Sequence, residues 1–245
     1  MELLKTNDGV SYQASYVSES LPVLIYRHGY KSDPMQSAFY KVLYPYIKNK
    51  FNIFMPYTPG SGWEYPVTGS RTPIGKYFAE WVMKNYKSDG RLFITGHSAG
   101  GDWDDVANTE GVTAFAPVAG SANSDTNIKR MAYRKIPVNA WHGRDDRATP
   151  NTYDAGYKTA ITRFKNAFRG DLVWNEFANI DHGEIPGIAY KPENGLAEWF
   201  LSKGTPTVPE KSGEDIPVKN IYFSESLKKI VFELENGERK ELTPD

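Results

Sequence analysis

The order of its apolar segments predicts an α/β fold for this chain, with a mainly parallel central sheet and helices on both faces. Short apolar runs of strand length alternate with longer segments of helical periodicity along most of the 245 residues. Hydrophobic residues make up 40% of the sequence, which is enough for the core of one large domain. Because ligands of such sheets bind beyond the carboxyl ends of the strands, the residues that follow each strand are the candidates for a site.

The predicted strands are short runs rich in apolar residues. They span residues 22–27, 51–56, 91–95, 112–118, 137–142 and 171–177. Helices are expected over residues 74–86, from Ser98 onward, and over residues 152–168 and 193–203. In the first of these helices, Ile74, Phe78 and Val82 recur at the spacing of one helix face. This order of strands and helices defines the parallel sheet of the prediction.

A C-terminal segment departs from this alternation. Residues 204–217 combine Pro, Gly and charged residues in the manner of a linker, so we expect a main domain over residues 1–203 and a small β tail over residues 218–245. The tail has three strand-like runs, at residues 219–224, 228–234 and 238–242. It is too small to hold a core alone, so it packs on the main domain, pairs with a second copy or docks on a partner.

Composition excludes several classes of function. The formal net charge is −1 and no basic stripe is present, so a nucleic-acid partner is not expected. The absence of cysteine excludes a disulfide framework, a thiolate nucleophile and a cysteine-ligated metal. No apolar run approaches the ~20 residues of a membrane span, and the N-terminus lacks a signal-peptide pattern. We expect a soluble chain, in the cytoplasm or in a larger assembly such as a virion, unless a signal peptide was removed.

The segment Gly96–Gly100 carries the main chemical signal. It reads Gly-His-Ser-Ala-Gly and matches G-x-S-x-G, follows an apolar strand and precedes a helix start, which is the context of a nucleophile elbow. In such a turn the glycines allow close packing of strand and helix, and the serine hydroxyl projects above the sheet. The alternative is a plain glycine-rich turn. We predict that Ser98 is a nucleophile.

A serine nucleophile needs a base, and the chain has four histidines. His97 stands beside the serine within the elbow, where we expect its side chain to point away. His28 and His142 each precede a glycine at the end of a strand, which indicates packing roles. His182 lies in a polar loop between the last strand of the sheet and the last helix, and we predict that it is the base. The alternative is an ordinary surface histidine.

In an elbow enzyme of this kind the acid lies between the serine and the histidine in chain order. Asp145 and Asp146 follow the predicted strand at residues 137–142, so their carboxylates emerge at the same edge of the sheet. We favour Asp146, which lies three residues past Gly143 and four before Pro150. Asp145 would then be solvated or cap the turn. The chosen carboxylate would hold the imidazole in its working tautomer.

The oxyanion of an acyl-transfer intermediate is stabilised by two backbone N–H groups. One comes from the residue after the nucleophile, which is Ala99. The other comes from the loop after an earlier strand, here residues 27–30, and we choose Tyr30. The alternative for this loop is a simple turn.

These motifs together resemble the α/β-hydrolase superfamily over residues 10–203. Four segments are similar to the polyhydroxybutyrate-depolymerase and feruloyl/acetylxylan-esterase group. They are Gly96–Gly101, Ala116–Gly120, His142–Asp146 with Pro150, and Asp181–Gly187. The resemblance implies the α/β-hydrolase fold, with Ser98, Asp146 and His182 as the triad of an esterase that removes acyl groups from polymers or plant cell-wall sugars.

The sequence departs from that group in three respects. The segment after the elbow, residues 101–110, is short and polar, so its helix is clipped. The oxyanion loop reads His-Gly-Tyr-Lys instead of a run of glycines, and the usual cysteines and signal peptide are absent. These differences weaken the inference about substrate and compartment more than the inference about the triad.

Two features bear on the substrate. Residues 120–136 leave room for only a short helix, so no cap domain is expected and the site should be open. The Gly- and Pro-rich loop after the second strand, residues 57–73, contains three aromatic candidates for substrate binding: Tyr57, Trp63 and Tyr65. These side chains either stack on a sugar or an aromatic acyl group, or pack within the loop.

The sequence therefore predicts a serine carboxylic-ester hydrolase that works through an acyl-enzyme and needs no metal or organic cofactor. Its substrate would be an acylated carbohydrate, a feruloyl-type aromatic ester or a polyester. The rival hypothesis is a catalytically silent or accessory binding module with the same fold, attached through its C-terminal β tail.

Overall fold

The computed structural model describes residues 1–7, 9–57, 64–67, 70–122, 124–147, 158–204, 218–224, 229–234 and 239–242. Contacts divide the chain into two compact units, Met1–Pro206 and Thr207–Asp245. The first unit contains the sheet that the sequence predicts, and the second is a small β-sheet.

The described part of the first unit contains ten strands. They are β1 (Glu2–Lys5), β2 (Ser11–Ser15), β3 (Val23–Arg27), β4 (Asn52–Tyr57), β5 (Glu64–Val67), β6 (Ser70–Pro73), β7 (Leu92–His97), β8 (Val112–Val118), β9 (Val138–Gly143) and β10 (Leu172–Phe177). The described α-helices are α1 (Tyr44–Ile47), α2 (Ile74–Asn85), α3 (Trp103–Ala107), α4 (Asp125–Tyr133), α5 (Lys158–Thr162), α6 (Ile185–Ala189) and α7 (Leu196–Leu201).

Eight of the strands form one sheet in the order β1-β2-β4-β3-β7-β8-β9-β10. The pairs β1–β2 and β2–β4 are antiparallel, and every later pair is parallel. Arg27 pairs with Gly96, and Gly96 pairs with Pro117, so β3, β7 and β8 end at one edge. The mainly parallel sheet of the prediction is confirmed, and its carboxyl edge collects the loops that carry the candidate residues.

Two apolar clusters cover the two faces of this sheet. Alternation along β3 sends Val23 and Ile25 to one face and Leu24 and Tyr26 to the other. The first face packs against α2, α3 and α4, and the second against α1, α6 and α7. Strands this apolar are typical of a sheet buried on both sides.

Six predicted strands correspond to β3, β4, β7, β8, β9 and β10, within one or two residues at each end. Strands β1 and β2 were not predicted. The segment after β4 was predicted as a loop, and the structure shows that β5 and β6 form an antiparallel hairpin within it. Pro66 and Pro73 lie in this hairpin, and proline there obscured its strand pattern.

Two of the predicted helices are not continuous α-helices in the structure. Ser98–Gly101 forms a 3₁₀ turn, and α3 follows it as a separate short helix. Of the helix predicted over residues 152–168, residues 158 onward are described; there α5 continues as a π-helical turn, Arg163–Ala167. The last helix is α7, which follows a left-handed Gly195.

The second unit is a three-stranded antiparallel sheet. Its strands are β11 (Val218–Ser224), β12 (Lys229–Leu234) and β13 (Arg239–Leu242), in that order. Tyr222 pairs with Val231, and Val231 pairs with Glu241. Docking or self-association through this sheet stays a prediction. No helix in the described ranges has both the length and the apolar character that crossing a membrane requires.

Candidate active site

Strand β7 ends in a sharp turn that lifts Ser98 above the sheet. Ser98 has a φ of 56°, in the left-handed region that side chains other than glycine rarely adopt. A strained residue of this kind persists only where its surroundings hold it, and such residues cluster at functional sites. The 3₁₀ turn Ser98–Gly101 follows directly. The chain therefore makes the strand–turn–helix path that a nucleophile elbow requires.

Glycine is required on both sides of this serine because two backbones meet there. A Cβ added at Gly96 would overlap the carbonyl group of Gly100. A Cβ added at Gly100 would overlap the carbonyl oxygens of Arg27 and His28, at the end of β3. The elbow and the loop after β3 are thus in direct main-chain contact, and this contact sets the spacing between them.

Gly100→Ala is therefore expected to destabilise the fold by about 3 kcal/mol or more, because the methyl group has only backbone to displace. Gly187→Ala is a matched control, since Gly187 lies in α6 with nothing within 4 Å of its added Cβ. That change should leave stability unchanged or raise it by up to about 1 kcal/mol. Urea unfolding midpoints compare the two variants; equal midpoints would contradict the crowding described here.

The predicted acid and base lie in contact. His182 Nδ1 is 2.8 Å from Asp146 Oδ2, and Asp146 is only 1% exposed. An ionised carboxylate only accepts hydrogen bonds, so the Nδ1–H of His182 donates and its Nε2 is left to accept a proton. Asp145, the rival carboxylate, is exposed.

Backbone hydrogen bonds join the loop that carries Asp146 to the segment that precedes His182. The N–H of Arg144 donates to the carbonyl oxygen of Phe177 at 2.9 Å, and the N–H of Asp145 donates to that of Ile180 at 3.1 Å. Gly143 has no room for a side chain, because a Cβ there would overlap the carbonyl oxygen of Ile180. The loops after β9 and β10 are therefore fixed relative to each other.

The turn that carries His182 is ordered by its own polar side chains. Asp181 Oδ1 accepts from the N–H groups of Gly183 and Glu184, at 2.8 and 2.9 Å. Glu184 Oε2 accepts in return from the N–H of Asp181 at 3.0 Å. This reciprocal arrangement resembles a capping box and fixes the turn just before α6.

His97 lies against His182, the predicted base, although its side chain is expected to point away. Its Nε2 donates to the carbonyl oxygen of His182 at 3.0 Å, and the two ring centroids are 4.8 Å apart. Strand alternation explains the orientation, because His97 shares a face of β7 with Phe93 and Thr95, and α6 and α7 cover that face. The helices that follow His182 therefore bring its turn to His97.

His142 also approaches the carboxylate of Asp146. Its Nε2 is 3.5 Å from Asp146 Oδ2, and neither side chain is exposed. Its ring is stacked at 20° to that of Trp174, with the centroids 6.2 Å apart. The expectation of a packing role for His142 agrees with this burial, but its approach to the acid was not foreseen. Its position four residues before Asp146 is the sequence signal for that approach.

Both additional histidines are held neutral. Burial lowers the pKa of His97 to about 4, and the neighbouring His182 adds to the effect. Burial also lowers the pKa of His142 to about 4, against the opposing attraction of Asp146. Near neutral pH these two rings therefore add no positive charge beside Asp146 and His182.

The depressed pKa of His142 links stability to acidity. The unfolded chain takes up this proton near the ordinary pKa of 6.5, whereas the folded chain takes it up only near 4. Stability should therefore fall as the pH drops from about 6.5 to about 4, by about 3 kcal/mol for this group. Urea titrations of wild type and His142→Gln across this range should show a shallower dependence in the variant. Identical dependences would contradict the assignment.

The predicted oxyanion loop follows β3. His28 is buried, and its Nδ1 lies 2.7 Å from the carbonyl oxygen of Gly29. Tyr30, the residue chosen as second donor, has a side chain that is 56% exposed. The ring of Tyr57 lies 5.9 Å from that of His28, beside this loop. Trp63 falls outside the described residues, as does the side chain of Tyr65.

A pocket of about 300 Å³ opens between the oxyanion loop and the turn that carries the base. Gly29, Ser32 and Asp33 line one side, and Gly183 and Pro186 line the other. His97 also lines it. Its walls are mainly apolar, and through His97 it adjoins the segment Gly96–Gly100. Within the described ranges, no group of three or more potential ligand side chains is arranged to hold a metal ion.

Comparison with solved structures identifies the fold. An S-formylglutathione hydrolase from Agrobacterium tumefaciens matches with a TM-score of 0.57 and 12% identity, over 81% of this chain and 92% of that one. This chain has the α/β-hydrolase fold. An esterase from Thermogutta terrifontis matches this chain with a TM-score of 0.55 and 13% identity, over 82% and 90% of the two chains.

An esterase from Pyrococcus furiosus also matches this chain, with a TM-score of 0.57 and 15% identity, over 82% of this chain and 88% of that one. No protein-family model and no curated protein matches the sequence. At these identities the structural matches establish the fold, and the activity has to be argued from the site.

Proposed function

We propose that this α/β-hydrolase chain is a serine esterase with Ser98 as nucleophile, His182 as general base and Asp146 as the acid that orients it. The proposal is carried by one observation, the 2.8 Å hydrogen bond between His182 Nδ1 and the buried Asp146 carboxylate, beside an elbow in which Ser98 is left-handed. This pair supports catalysis over the rival binding module, because a binding module has no need of a buried carboxylate bonded to a histidine.

The reaction proceeds by two acyl transfers. His182 Nε2 takes the proton of the Ser98 hydroxyl as the oxygen attacks the ester carbonyl carbon. The tetrahedral intermediate then collapses, the bond to the alcohol oxygen breaks, and His182 returns the proton to the leaving alcohol. Water, deprotonated by the same imidazole, then attacks the acyl-enzyme. The bond to Ser98 Oγ breaks, His182 returns the proton to that oxygen, and the carboxylic acid is released. Asp146 stabilises the imidazolium that forms in each step.

The negative charge of each intermediate would be stabilised by the N–H groups of Ala99 and Tyr30. Ala99 follows the nucleophile, and Tyr30 lies in the loop that meets the elbow through the contact of Gly100 with Arg27 and His28. This contact supports the assignment, since it keeps both donor segments at one edge of the sheet.

For the substrate we propose an acylated carbohydrate, a feruloyl-type aromatic ester or a polyester. The resemblance of the motifs to the depolymerase and feruloyl-esterase group supports this class, and the esterases among the structural matches support ester hydrolysis in general. Between β8 and β9 the described residues contain one helix, α4, which is consistent with an open site for a bulky substrate. Tyr57, Trp63 and Tyr65 are the proposed stacking residues.

Ser98→Ala should reduce the hydrolysis of p-nitrophenyl acetate by about 10⁴-fold or more, because no other group takes over as nucleophile. Release of p-nitrophenol at neutral pH measures the rate. Ser20→Ala is the control, since Ser20 is an exposed residue at the opposite end of the strands. Equal rates for wild type and Ser98→Ala would refute the proposed function.

Asp146→Asn should reduce kcat by about 10⁴-fold, because an amide cannot hold the imidazole in the tautomer that accepts the serine proton. Asp145→Asn is the matched control and should retain kcat within about twofold, since that side chain is exposed. Steady-state kinetics with the same ester measures both. A large loss only at Asp145 would reverse the assignment of the acid.

A further inference from the structure

Arg27, the last residue of β3, extends a fully buried guanidinium beneath the elbow. Its Nε donates to the carbonyl oxygen of Gly100 and its Nη2 to that of Asp102, each at 2.7 Å. Its Nη1 donates to Asp105 Oδ2 at 3.1 Å. One side chain therefore contacts the elbow, the start of α3 and a carboxylate within α3.

This ion pair is enclosed on every side. Arg27 is 1% exposed and Asp105 is 8% exposed. The guanidinium carbon lies 5.9 Å from the centre of the Phe115 ring. A Cβ added at Gly75, in the first turn of α2, would overlap the Asp105 carboxylate. The backbone of Gly75 also donates a hydrogen bond to Asp105. The first turn of α2 is thus packed directly on the pair.

Burying such a pair is costly in free energy. Burial raises the pKa of Asp105 to about 6 and lowers that of Arg27, although each partner opposes the effect on the other. Replacing a buried ion pair by apolar residues of similar size is often neutral or stabilising. Arg27 follows Val23 and Ile25 on an apolar face of β3, where a branched apolar side chain would fit the pattern. Stability alone therefore does not account for a guanidinium at this position.

The location of Arg27 indicates what the side chain does. Its own backbone leads into residues 28–30, the loop that holds the proposed donor Tyr30. Its side chain donates a hydrogen bond to the carbonyl oxygen of Gly100, next to the other proposed donor, Ala99. Arg27 therefore belongs to one donor segment through its peptide bonds and to the other through its hydrogen bonds. A shift of either segment along the sheet would stretch the Nε bond to Gly100.

We propose that Arg27 is a positioning residue for ester hydrolysis, which sets the distance between the two backbone N–H groups of the oxyanion hole. The inference rests on the proposed function. Charge alone does not suffice for this role, because Nε, Nη1 and Nη2 of Arg27 each donate to a different acceptor, and the planar guanidinium holds these donors in a fixed fork. A lysine at the same position would keep the charge and lose the planar fork.

Arg27→Lys should therefore lower kcat per active site by about 10- to 100-fold, with KM changed by less than about threefold. The loss is smaller than the 10²- to 10³-fold effect of removing an oxyanion donor outright, because both donors remain and only their spacing changes. Titration with a fluorophosphonate counts the reactive sites, so a lower fraction of folded protein does not lower the measured kcat. The affinity for phenylboronic acid, which forms a tetrahedral adduct, should fall by the same factor as kcat.

Arg91→Lys is the matched control. Arg91 also pairs with an aspartate, Asp89, and donates to two backbone carbonyl oxygens, those of Leu201 and Lys203. It too lies near an aromatic ring, that of Phe93. Because Arg91 precedes β7, at the end of the strand away from the elbow, its substitution should leave kcat per titrated site and boronic acid affinity unchanged.

A second variant, Arg27→Gln with Asp105→Asn, removes both charges and leaves no unpaired ion in the core. This double variant should show the same loss of kcat per site. The role of Arg27 can therefore be tested even if Arg27→Lys does not fold. Unchanged kcat per site and boronic acid affinity in a folded Arg27 variant, with an active wild type, would overturn the role of Arg27 alone. A wild type that neither reacts with the fluorophosphonate nor hydrolyses esters would overturn the proposed function, and this role with it.

Discussion

The candidate site depends on a contact between two main-chain segments that leaves no room for a side chain between them. At the carboxyl edge of the sheet, Gly96 and Gly100 are pressed against the carbonyl end of β3. This contact holds Ser98 in its left-handed conformation and sets the elbow beside the loop that follows Arg27. Interiors packed this closely transmit small shifts, so one methyl group at the contact would displace both loops.

Near this contact three imidazoles lie close to one buried carboxylate or to each other. His182 hydrogen-bonds to Asp146, and His142 Nε2 lies 3.5 Å from the same oxygen. His97 packs on the ring of His182 and bonds to its backbone. Burial keeps His97 and His142 uncharged, so the carboxylate acts on His182 without a competing cation at neutral pH. In a low-dielectric environment that selective interaction is strong, which suits a base that becomes positively charged during a reaction.

Local patterns were enough to predict the six strands from β3 to β10 that form the parallel part of the sheet, because apolar runs and turn residues are signals within a few residues. The choice of Asp146 over Asp145 came from loop spacing, and the structure puts only Asp146 next to His182. The predicted orientation of the His97 side chain was wrong. It depends on the helices that cover this face of β7, and these helices, α6 and α7, lie about 90 to 100 residues later in the sequence. The hydrogen-bond partners of Arg27 could not be predicted for the same reason, because α2 and α3 come next to it only through tertiary packing.

We propose that this fold makes one serine hydroxyl of the chain chemically distinct. Peptide mass spectrometry after treatment with a fluorophosphonate can show this, because the reagent modifies a serine only where a base and an oxyanion hole converge. We expect a single adduct per chain, located on Ser98 and strongly diminished in His182→Ala. An adduct on a different serine, or the same labelling of Ser98 with and without the imidazole, would contradict it.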